Sequence, residues 1–267
     1  MEGFDVELSI DEIEFFKDNG YLIKRSVLDP KLMARARDRL WDGAPPSMKR
    51  DDQASWVGPI RPEEESEDPS NRRKGFRWQF REPGGEPFML RLLATDPNVF
   101  GFAEQLIGKH QLQKPVRIRG IYCTLPYGKK DPGSGAGGCH VDAHPFHLGV
   151  VGYIDDVGPG GGGFTVWPGS HRTFFGDFRT RYTFNPNKNY QGDREKILKQ
   201  SSVECHGKAG DVVFWHHRIG HTAPPNRTGR IRQAVLYDFR KVGLAEYQDR
   251  RPTKNMWYDW SEELRRV

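Results

Sequence analysis

Short β-prone segments separated by glycine and proline turns occupy the chain after Lys114, and they constrain its fold more than any other feature. These segments are Val116–Leu125, Phe146–Val157, Phe164–Trp167, Ser201–Cys205, Asp211–Trp215 and Ile231–Phe239. Several short strands with turn residues between them, and few helices, are typical of a β-sandwich or a jelly roll. The sequence therefore predicts a mainly β core over residues 114–240.

The first 113 residues predict helices and a long loop. The expected elements are a helix opened by a Ser9–Glu12 capping box and ending at Asn19-Gly20, a strand at Tyr21–Lys24, a helix from Asp29-Pro30 towards Trp41, and a helix from Asp96 to near Gly108. Residues 44–86 are rich in proline, glycine and charge, which predicts a loop excursion.

We find no internal repeat and no second hydrophobic core, so one domain is expected over residues 1–267. Its parts are an N-terminal helical and loop region (1–113), a jelly-roll core (114–240) and a C-terminal extension (241–267). Two segments, 127–138 and 172–200, are expected to be long crossings or lids. Five glycines lie between Gly128 and Gly138, but no Gly-Lys-Ser/Thr follows, so a flexible lid is favoured over a phosphate-binding loop.

Composition excludes several classes of protein. No apolar run approaches the roughly 20 residues that a membrane-spanning helix needs. The acidic N-terminus does not resemble a secretory signal, and the C-terminal Arg-Arg-Val is not a peroxisomal signal, so a cytoplasmic protein is expected.

The three cysteines, Cys123, Cys139 and Cys205, are too few and too scattered for a disulfide framework or a thiolate zinc site, and we expect reduced, buried thiols.

Basic residues slightly outnumber acidic ones, 41 to 36, which gives a formal net charge of +5. Such a balance permits binding to anions or to nucleic acid but does not demand it. Part of the excess is concentrated in residues 71–81. A solvated loop is the favoured interpretation of this stretch, with a phosphate or carboxylate clamp as the alternative.

Most of the nine histidines fall in two clusters, at residues 140–147 and 216–221. His140 and Asp142 are two residues apart, so on a strand both side chains would point into a barrel, and a histidine from another strand could join them. Two histidines and one carboxylate on one face, with coordination positions left open, form the site of non-heme Fe(II) oxygenases. A bare His-x-Asp pair also arises by chance, so the assignment depends on its surroundings.

Those surroundings resemble a known family. The matching motifs are the opening Phe15-Phe16…Asn19-Gly-Tyr-Leu-Ile23, His140-x-Asp142, the run Gly161-Gly-Gly-Phe-Thr-Val-Trp-Pro-Gly-Ser-His171, the run from Gly210-Asp through His221 to Pro225-Asn226, and Arg232, eleven residues after His221. Together they resemble the phytanoyl-CoA dioxygenase family of Fe(II)/2-oxoglutarate-dependent oxygenases. The resemblance covers most of residues 10–239 and is weak at 44–86 and 172–200.

The resemblance implies a fold and a set of site residues. The fold is mainly β with N-terminal helices, around a double-stranded β-helix (jelly-roll, cupin-like) core. Iron would be bound by His140, Asp142 and His221, and the distal carboxylate of 2-oxoglutarate by Arg232. A guanidinium group suits that role because it can hold a carboxylate through two parallel hydrogen bonds.

The chain departs from the family pattern around the cosubstrate. The family often has Gly-Ser after the distal histidine, where this chain has Thr222-Ala223, so either Thr222 supplies the hydroxyl or that contact is absent. Arg227 and Arg230 are rivals of Arg232, whose eleven-residue spacing is favoured. An upstream basic contact of the family, if kept, would fall on Arg91.

The remaining histidines are not expected to bind the metal. His144 and His147 follow the metal motif and either face the substrate or are structural. His171, in the Pro-Gly-Ser-His turn, is expected to make a structural hydrogen bond. His216 and His217 are expected to flank the site rather than to bind iron.

The resemblance implies an oxygenase that uses Fe(II), 2-oxoglutarate as cosubstrate and O2, and that forms succinate while it oxidises a small substrate. The basic character of the chain suggests a polar or anionic substrate. Because Asp142 is a carboxylate, no coordination position is freed for a halide, and hydroxylation is favoured over halogenation. Three alternatives remain: a nucleic-acid- or protein-directed oxygenase, a zinc metallohydrolase built on His140-x-Asp142-x-His144, and a catalytically silent binding protein. Nucleic acid is disfavoured because the only basic stretch with interleaved aromatics is 72–81.

Overall fold

The computed structural model describes residues 7–129 and 138–266, which form two antiparallel sheets and a set of helices. The strands are β1 (Tyr21–Lys24), β2 (Asn71–Lys74), β3 (Arg77–Phe80), β4 (Gly120–Thr124), β5 (Leu148–Tyr153), β6 (Thr165–Val166), β7 (Val203–Glu204), β8 (Val212–His216), β9 (His221–Thr222) and β10 (Arg232–Phe239). The α-helices are α1 (Ile10–Asn19), α2 (Pro30–Asp42), α3 (Pro87–Leu92), α4 (Pro97–Ile107), α5 (Ser170–Gly176), α6 (Tyr190–Leu198), α7 (Leu244–Tyr247) and α8 (Glu262–Arg266).

The larger sheet has seven strands in the order β1-β8-β5-β10-β4-β3-β2, and the smaller has the order β7-β6-β9. All of the strand pairs are antiparallel. Neighbours in the sheet are mostly distant in sequence, as in a jelly roll, where strands cross between two facing sheets. The expected fold class, a mainly β jelly roll with N-terminal helices, is confirmed.

Side chains alternate between two hydrophobic cores along the central strands of the larger sheet. On β10, Val235 and Phe239 pack with the N-terminal helices, whereas Ala234 and Leu236 face the smaller sheet. This alternation follows from the two-residue repeat of a strand. Because both faces are covered, β8 is buried along its whole length and appears in the sequence as a continuous apolar run.

The N-terminal helices begin where the sequence predicts. The Ser9 hydroxyl accepts a hydrogen bond from the Glu12 amide, and the Glu12 carboxylate accepts one from the Ser9 amide, so the capping box at α1 is complete. The Asp29 and Asp96 side chains accept hydrogen bonds from the first amides of α2 and α4, and each is followed by proline in the first turn. These helices cover the outer face of the larger sheet.

Two expectations about the N-terminal region were wrong in detail. Residues 44–86 are not only a loop, since they contain the hairpin β2–β3 at the edge of the larger sheet. The sheet also takes β1 from the N-terminal region, so residue 114 does not separate helices from sheet.

The two segments expected to be crossings or lids stay predictions. Residues 172–200 hold most of α5 and all of α6. The glycine-rich lid predicted at Gly128–Gly138 falls mainly on residues 130–137, which lie outside the described residues.

The cysteines are free and buried, as expected. Within residues 7–129 and 138–266, no helix is long and apolar enough to span a membrane.

Candidate active site

His140, Asp142 and His221 come together between the two sheets. One ligand atom from each lies within 4.8 Å of the others. His221 begins β9, and its backbone forms an isolated antiparallel bridge with His140 through N–H···O distances of 3.1 and 2.9 Å. His140 and Asp142 therefore do not lie on the regular strand that their spacing predicted, and a single bridge positions the pair.

Backbone carbonyl groups fix the orientation of both imidazoles. His221 Nδ1 lies 3.0 Å from the Ile219 carbonyl oxygen, and His140 Nδ1 lies 3.4 Å from that of Gly138. A carbonyl can only accept, so each Nδ1 carries the proton and each Nε2 is left with a free lone pair. His221 Nε2 is 3.8 Å from Asp142 Oδ1, so the two groups can reach one small ion.

The surroundings of His221 and Asp142 favour the protonation states that bind a metal. Burial lowers the pKa of His221 to about 4, although Asp142 opposes this shift. Burial raises the pKa of Asp142, but its interactions with His221 and Arg119 more than offset this, and the pKa lies below its ordinary value. A neutral imidazole and an ionised carboxylate are the forms that coordinate a metal.

Arg119 holds the oxygen of Asp142 that points away from His221. Its Nη2 lies 3.2 Å from Asp142 Oδ2 and 2.6 Å from Asp238 Oδ1. His144 Nε2 completes the group, 2.7 Å from Arg119 Nη2 and 2.9 Å from Asp238 Oδ2. Burial raises the pKa of Asp238, but Arg119 and His144 lower it to about 2. The sequence did not indicate Arg119 or Asp238, because neither belongs to a recognisable motif.

A cavity of about 300 Å³ extends from the three candidate ligands to Arg232. Arg232 begins β10 and is only 5% exposed. Within the described residues its guanidinium has no carboxylate partner; one Nη1 hydrogen bond of 3.4 Å reaches the Tyr122 carbonyl, and the buried Nε has no partner. A buried cation with unused donors is costly unless an anion joins it, so this end of the cavity fits a carboxylate. Thr222 lines the same cavity.

The rival arginines occupy other places. Arg230 is exposed and pairs with Asp155 at 2.8 Å, and Arg227 is exposed on the surface. Arg91 is exposed on α3 and does not line the cavity.

Arg77, on β3, is a further arginine of the cavity that sequence reasoning missed, besides Arg119. Its Nη1 donates to Thr124 Oγ1 at 2.6 Å, and its Nη2 donates to the carbonyl of Ala223. Burial and the nearby charge of Arg232 lower its pKa. The signal lies in residues 77–80, where Arg77 and Gln79 alternate with the buried Trp78 and Phe80. A solvated loop was therefore the wrong interpretation for this part of the basic stretch.

Two aromatic rings form a wall of the cavity. Phe164 stacks on His221 at a centroid distance of 5.2 Å, and Trp215 lies 6.0 Å from the same ring. Both belong to the core between the sheets and also line the cavity, so they exclude water from one side of the candidate metal site.

The other histidines do not join the three candidate ligands. His171 makes the expected structural hydrogen bond, with Nε2 3.0 Å from the Lys17 carbonyl. His147, His216 and His217 are buried among the aromatic rings of Tyr182, Tyr247, Trp257 and Trp260. Because His144 turns to Arg119 and Asp238, the described residues do not form the zinc grouping His140-x-Asp142-x-His144.

Comparison with known proteins gives a family match over most of the chain. The family model described as phytanoyl-CoA dioxygenase (PhyH) matches residues 16–234. No curated protein matches the sequence significantly.

Solved structures share the fold at low sequence identity. EctD from S. alaskensis, with 2-oxoglutarate and 5-hydroxyectoine, is 19% identical with a TM-score of 0.58; the match covers 90% of this chain and 78% of that one. The carbocyclase SnoK from nogalamycin biosynthesis is 16% identical with a TM-score of 0.56, covering 94% and 95%. AviO1 from Streptomyces viridochromogenes Tue57 is 20% identical with a TM-score of 0.53, covering 89% and 98%. The family match and the shared fold lead to one conclusion: the chain belongs to the phytanoyl-CoA dioxygenase family of 2-oxoglutarate-dependent dioxygenases.

Proposed function

We propose that this protein is an Fe(II)- and 2-oxoglutarate-dependent oxygenase that hydroxylates a small, polar or anionic organic substrate. His140, Asp142 and His221 bind the iron. Arg232 binds the distal carboxylate of 2-oxoglutarate, and the Thr222 hydroxyl contributes to the same end of the cavity. When bound, iron and 2-oxoglutarate supply the oxidation of a C–H bond by O2, with release of succinate and CO2.

One observation carries this proposal: a His-Asp-His group shares a small, partly apolar cavity with a buried guanidinium that no described carboxylate neutralises. The donor set is that of non-heme Fe(II) oxygenases, and its three ligands leave coordination positions open. The guanidinium keeps a buried Nε without a partner, so it has donors left for the carboxylate of a cosubstrate.

The residues of this chain orient and shield the reacting groups. Arg119 holds the outer oxygen of Asp142, which leaves the other oxygen facing His221. Phe164 and Trp215 exclude water on the wall side, whereas His140 is exposed and marks the open side through which a substrate can approach. Asp142 occupies the position that a halide would need, so hydroxylation is the proposed outcome.

Slow conversion of 2-oxoglutarate to succinate in the absence of a substrate, called uncoupled turnover, tests the proposal before the substrate is known. We expect the protein with Fe(II), O2 and 2-oxoglutarate to form succinate slowly, and we expect His221→Ala to abolish both iron binding and succinate formation. The matched control is His110→Ala, because His110 is an exposed surface residue. Succinate formation that persists in His221→Ala would refute the assignment of the ligands.

A further inference from the structure

A second, open groove lies next to the active-site cavity. Its volume is about 810 Å³, and Arg119 and Tyr122 line both spaces, so the groove continues outward from the candidate metal site. It runs between the end of β3, the residues before β4 and the end of β10. A substrate that reaches the iron from this side must pass along it.

Besides Arg119, three arginines line this groove: Arg81, Arg117 and Arg240. Within the described residues, none of the three forms an ion pair with a carboxylate. Arg81 donates to Gln79 Oε1 at 2.6 Å, Arg117 to the Arg81 carbonyl at 3.0 Å, and Arg240 to the Pro145 carbonyl at 2.9 Å. Neutral acceptors therefore hold all three guanidinium groups in place and leave their charges uncompensated.

The Arg81 guanidinium also has a hydrogen-bond donor without a partner. Its guanidinium lies over the Tyr122 ring at 5.5 Å, and its Nε is buried without a hydrogen-bond partner. Burying a donor without an acceptor costs free energy, so the Arg81 guanidinium has hydrogen-bonding capacity that the described residues do not use.

The acidic side chains of the groove are already engaged. Glu82 Oε1 accepts from Arg39 Nη2 at 2.8 Å, and Asp238 is held by Arg119 at 2.6 Å. The imidazole of His144 also lines the groove, and its Nε2 contacts Asp238. The electrostatic potential along the groove is therefore positive, because no described carboxylate pairs with Arg81, Arg117 or Arg240.

We propose that this groove binds a phosphate or phosphonate dianion carried by the substrate, through Arg81, Arg117 and Arg240, while the carbon to be oxidised lies at the inner cavity beyond Tyr122. This inference rests on the proposed function, because it names the class of substrate for the same site. Three guanidinium groups on different segments suit a tetrahedral dianion, which offers several oxygens in different directions, better than a planar monocarboxylate.

Binding of inorganic phosphate to the full-length, iron-free chain tests the inference. Titration calorimetry would compare wild type with Arg81→Gln, Arg117→Gln and Arg240→Gln, with acetate as the second probe. Arg227→Gln is the matched control for loss of one exposed positive charge, and Arg232→Gln reports phosphate that enters the inner cavity instead. The measurement needs neither iron nor 2-oxoglutarate, so its result is independent of the test of the oxygenase activity.

We expect phosphate to bind more tightly than acetate, and each of the three groove variants to weaken phosphate roughly tenfold, as loss of a charged hydrogen bond does. Arg227→Gln and Arg232→Gln are expected to bind phosphate as wild type does. Any of three results would overturn the inference: no phosphate binding, equally tight binding of acetate, or a loss of phosphate binding that is confined to Arg232→Gln.

Discussion

An arginine of this protein is available to bind the cosubstrate carboxylate only if no acidic side chain already pairs with it. Arg230 and Arg232 are two residues apart on the same segment, yet Arg230 is exposed and bound to Asp155, whereas Arg232 is buried and has no described carboxylate partner. The sequence favoured Arg232 through its spacing from His221. The structure adds a physical reason, since Arg232, unlike Arg230, lies at the cavity and has a buried donor without a partner.

Arg232→Gln is predicted to raise the apparent requirement for 2-oxoglutarate at least tenfold, because a charged, bidentate contact to its distal carboxylate is lost. The requirement for Fe(II) should change little, since Arg232 is not among the candidate ligands. Succinate formation measured against each component separately gives both values. The control is Arg230→Gln, which should resemble wild type. If both requirements rise together in Arg232→Gln, another residue binds the carboxylate.

Asp238→Asn is predicted to weaken Fe(II) binding roughly tenfold, as loss of a residue that orients a ligand commonly does. Without the Asp238 charge, Arg119 binds Asp142 more strongly and competes with the metal for that carboxylate. An anaerobic Fe(II) titration measures the effect. Asp155→Asn breaks an exposed pair with Arg230 and serves as the control. Unchanged iron affinity in Asp238→Asn would show that Arg119 does not position Asp142.

At the scale of elements, apolar strands were predictable and polar strands were not. The segment 211–215 is almost continuously apolar because β8 is buried on both faces, and its position was predicted closely. The hairpin β2–β3 was missed because its charged residues resemble a solvated loop. Its strand character comes from pairing with β4, a long-range contact that local sequence does not encode.

Strand β5 depends on a glycine at its contact with β8. Gly149 lies opposite Trp215, and a Cβ atom at this position would come within 2.1 Å of the indole ring. Gly149→Ala is therefore predicted to displace Trp215 and to lower the free energy of unfolding by about 1–3 kcal/mol, the usual cost of overpacking. Urea-induced unfolding measures this change.

The control for this substitution is Gly158→Ala, where an added Cβ would contact nothing within 4 Å. It should leave the free energy of unfolding close to that of wild type. Equal stability of the two variants would mean that Trp215 is not held by its contact with β5.

At the scale of the whole molecule, the order of the motifs allowed the family, the fold and the candidate ligands to be predicted together. His140, Asp142 and His221 lie far apart in the sequence, and their meeting was inferred from the resemblance. Arg77, Arg119 and Asp238 were not found. The alternation of residues 77–80 indicates a strand, but only pairing with β4 brings Arg77 to the cavity. Arg119 and Asp238 are connected to the candidate ligands through ion pairs, which are set by tertiary structure.

Buried histidines are predicted to make the whole fold sensitive to acid. Burial lowers the pKa of His147, His216 and His217 well below 6.5. As the pH falls, the unfolded chain therefore binds these protons at a higher pH than the folded chain does. The free energy of unfolding keeps its full value above about pH 6.5 and decreases as the pH drops below it. Each histidine contributes a slope of up to about 1.4 kcal/mol per pH unit.

Unfolding free energies measured between pH 7.5 and pH 5 test this prediction. His216→Phe should reduce the slope, whereas His110→Gln, which removes an exposed imidazole, should not. A free energy of unfolding that is constant over this range would show that the buried histidines do not control acid stability.

The proposed function requires His140, Asp142, His221 and Arg232 to form one site for iron and 2-oxoglutarate. Anaerobic titration of the Fe(II)-loaded protein with 2-oxoglutarate is the sharpest test, because chelation of the iron by the cosubstrate produces a visible metal-to-ligand charge-transfer band. We expect a band that saturates in wild type, requires more 2-oxoglutarate in Arg232→Gln and is absent in His221→Ala. Iron binding without any band in wild type would refute the proposed site.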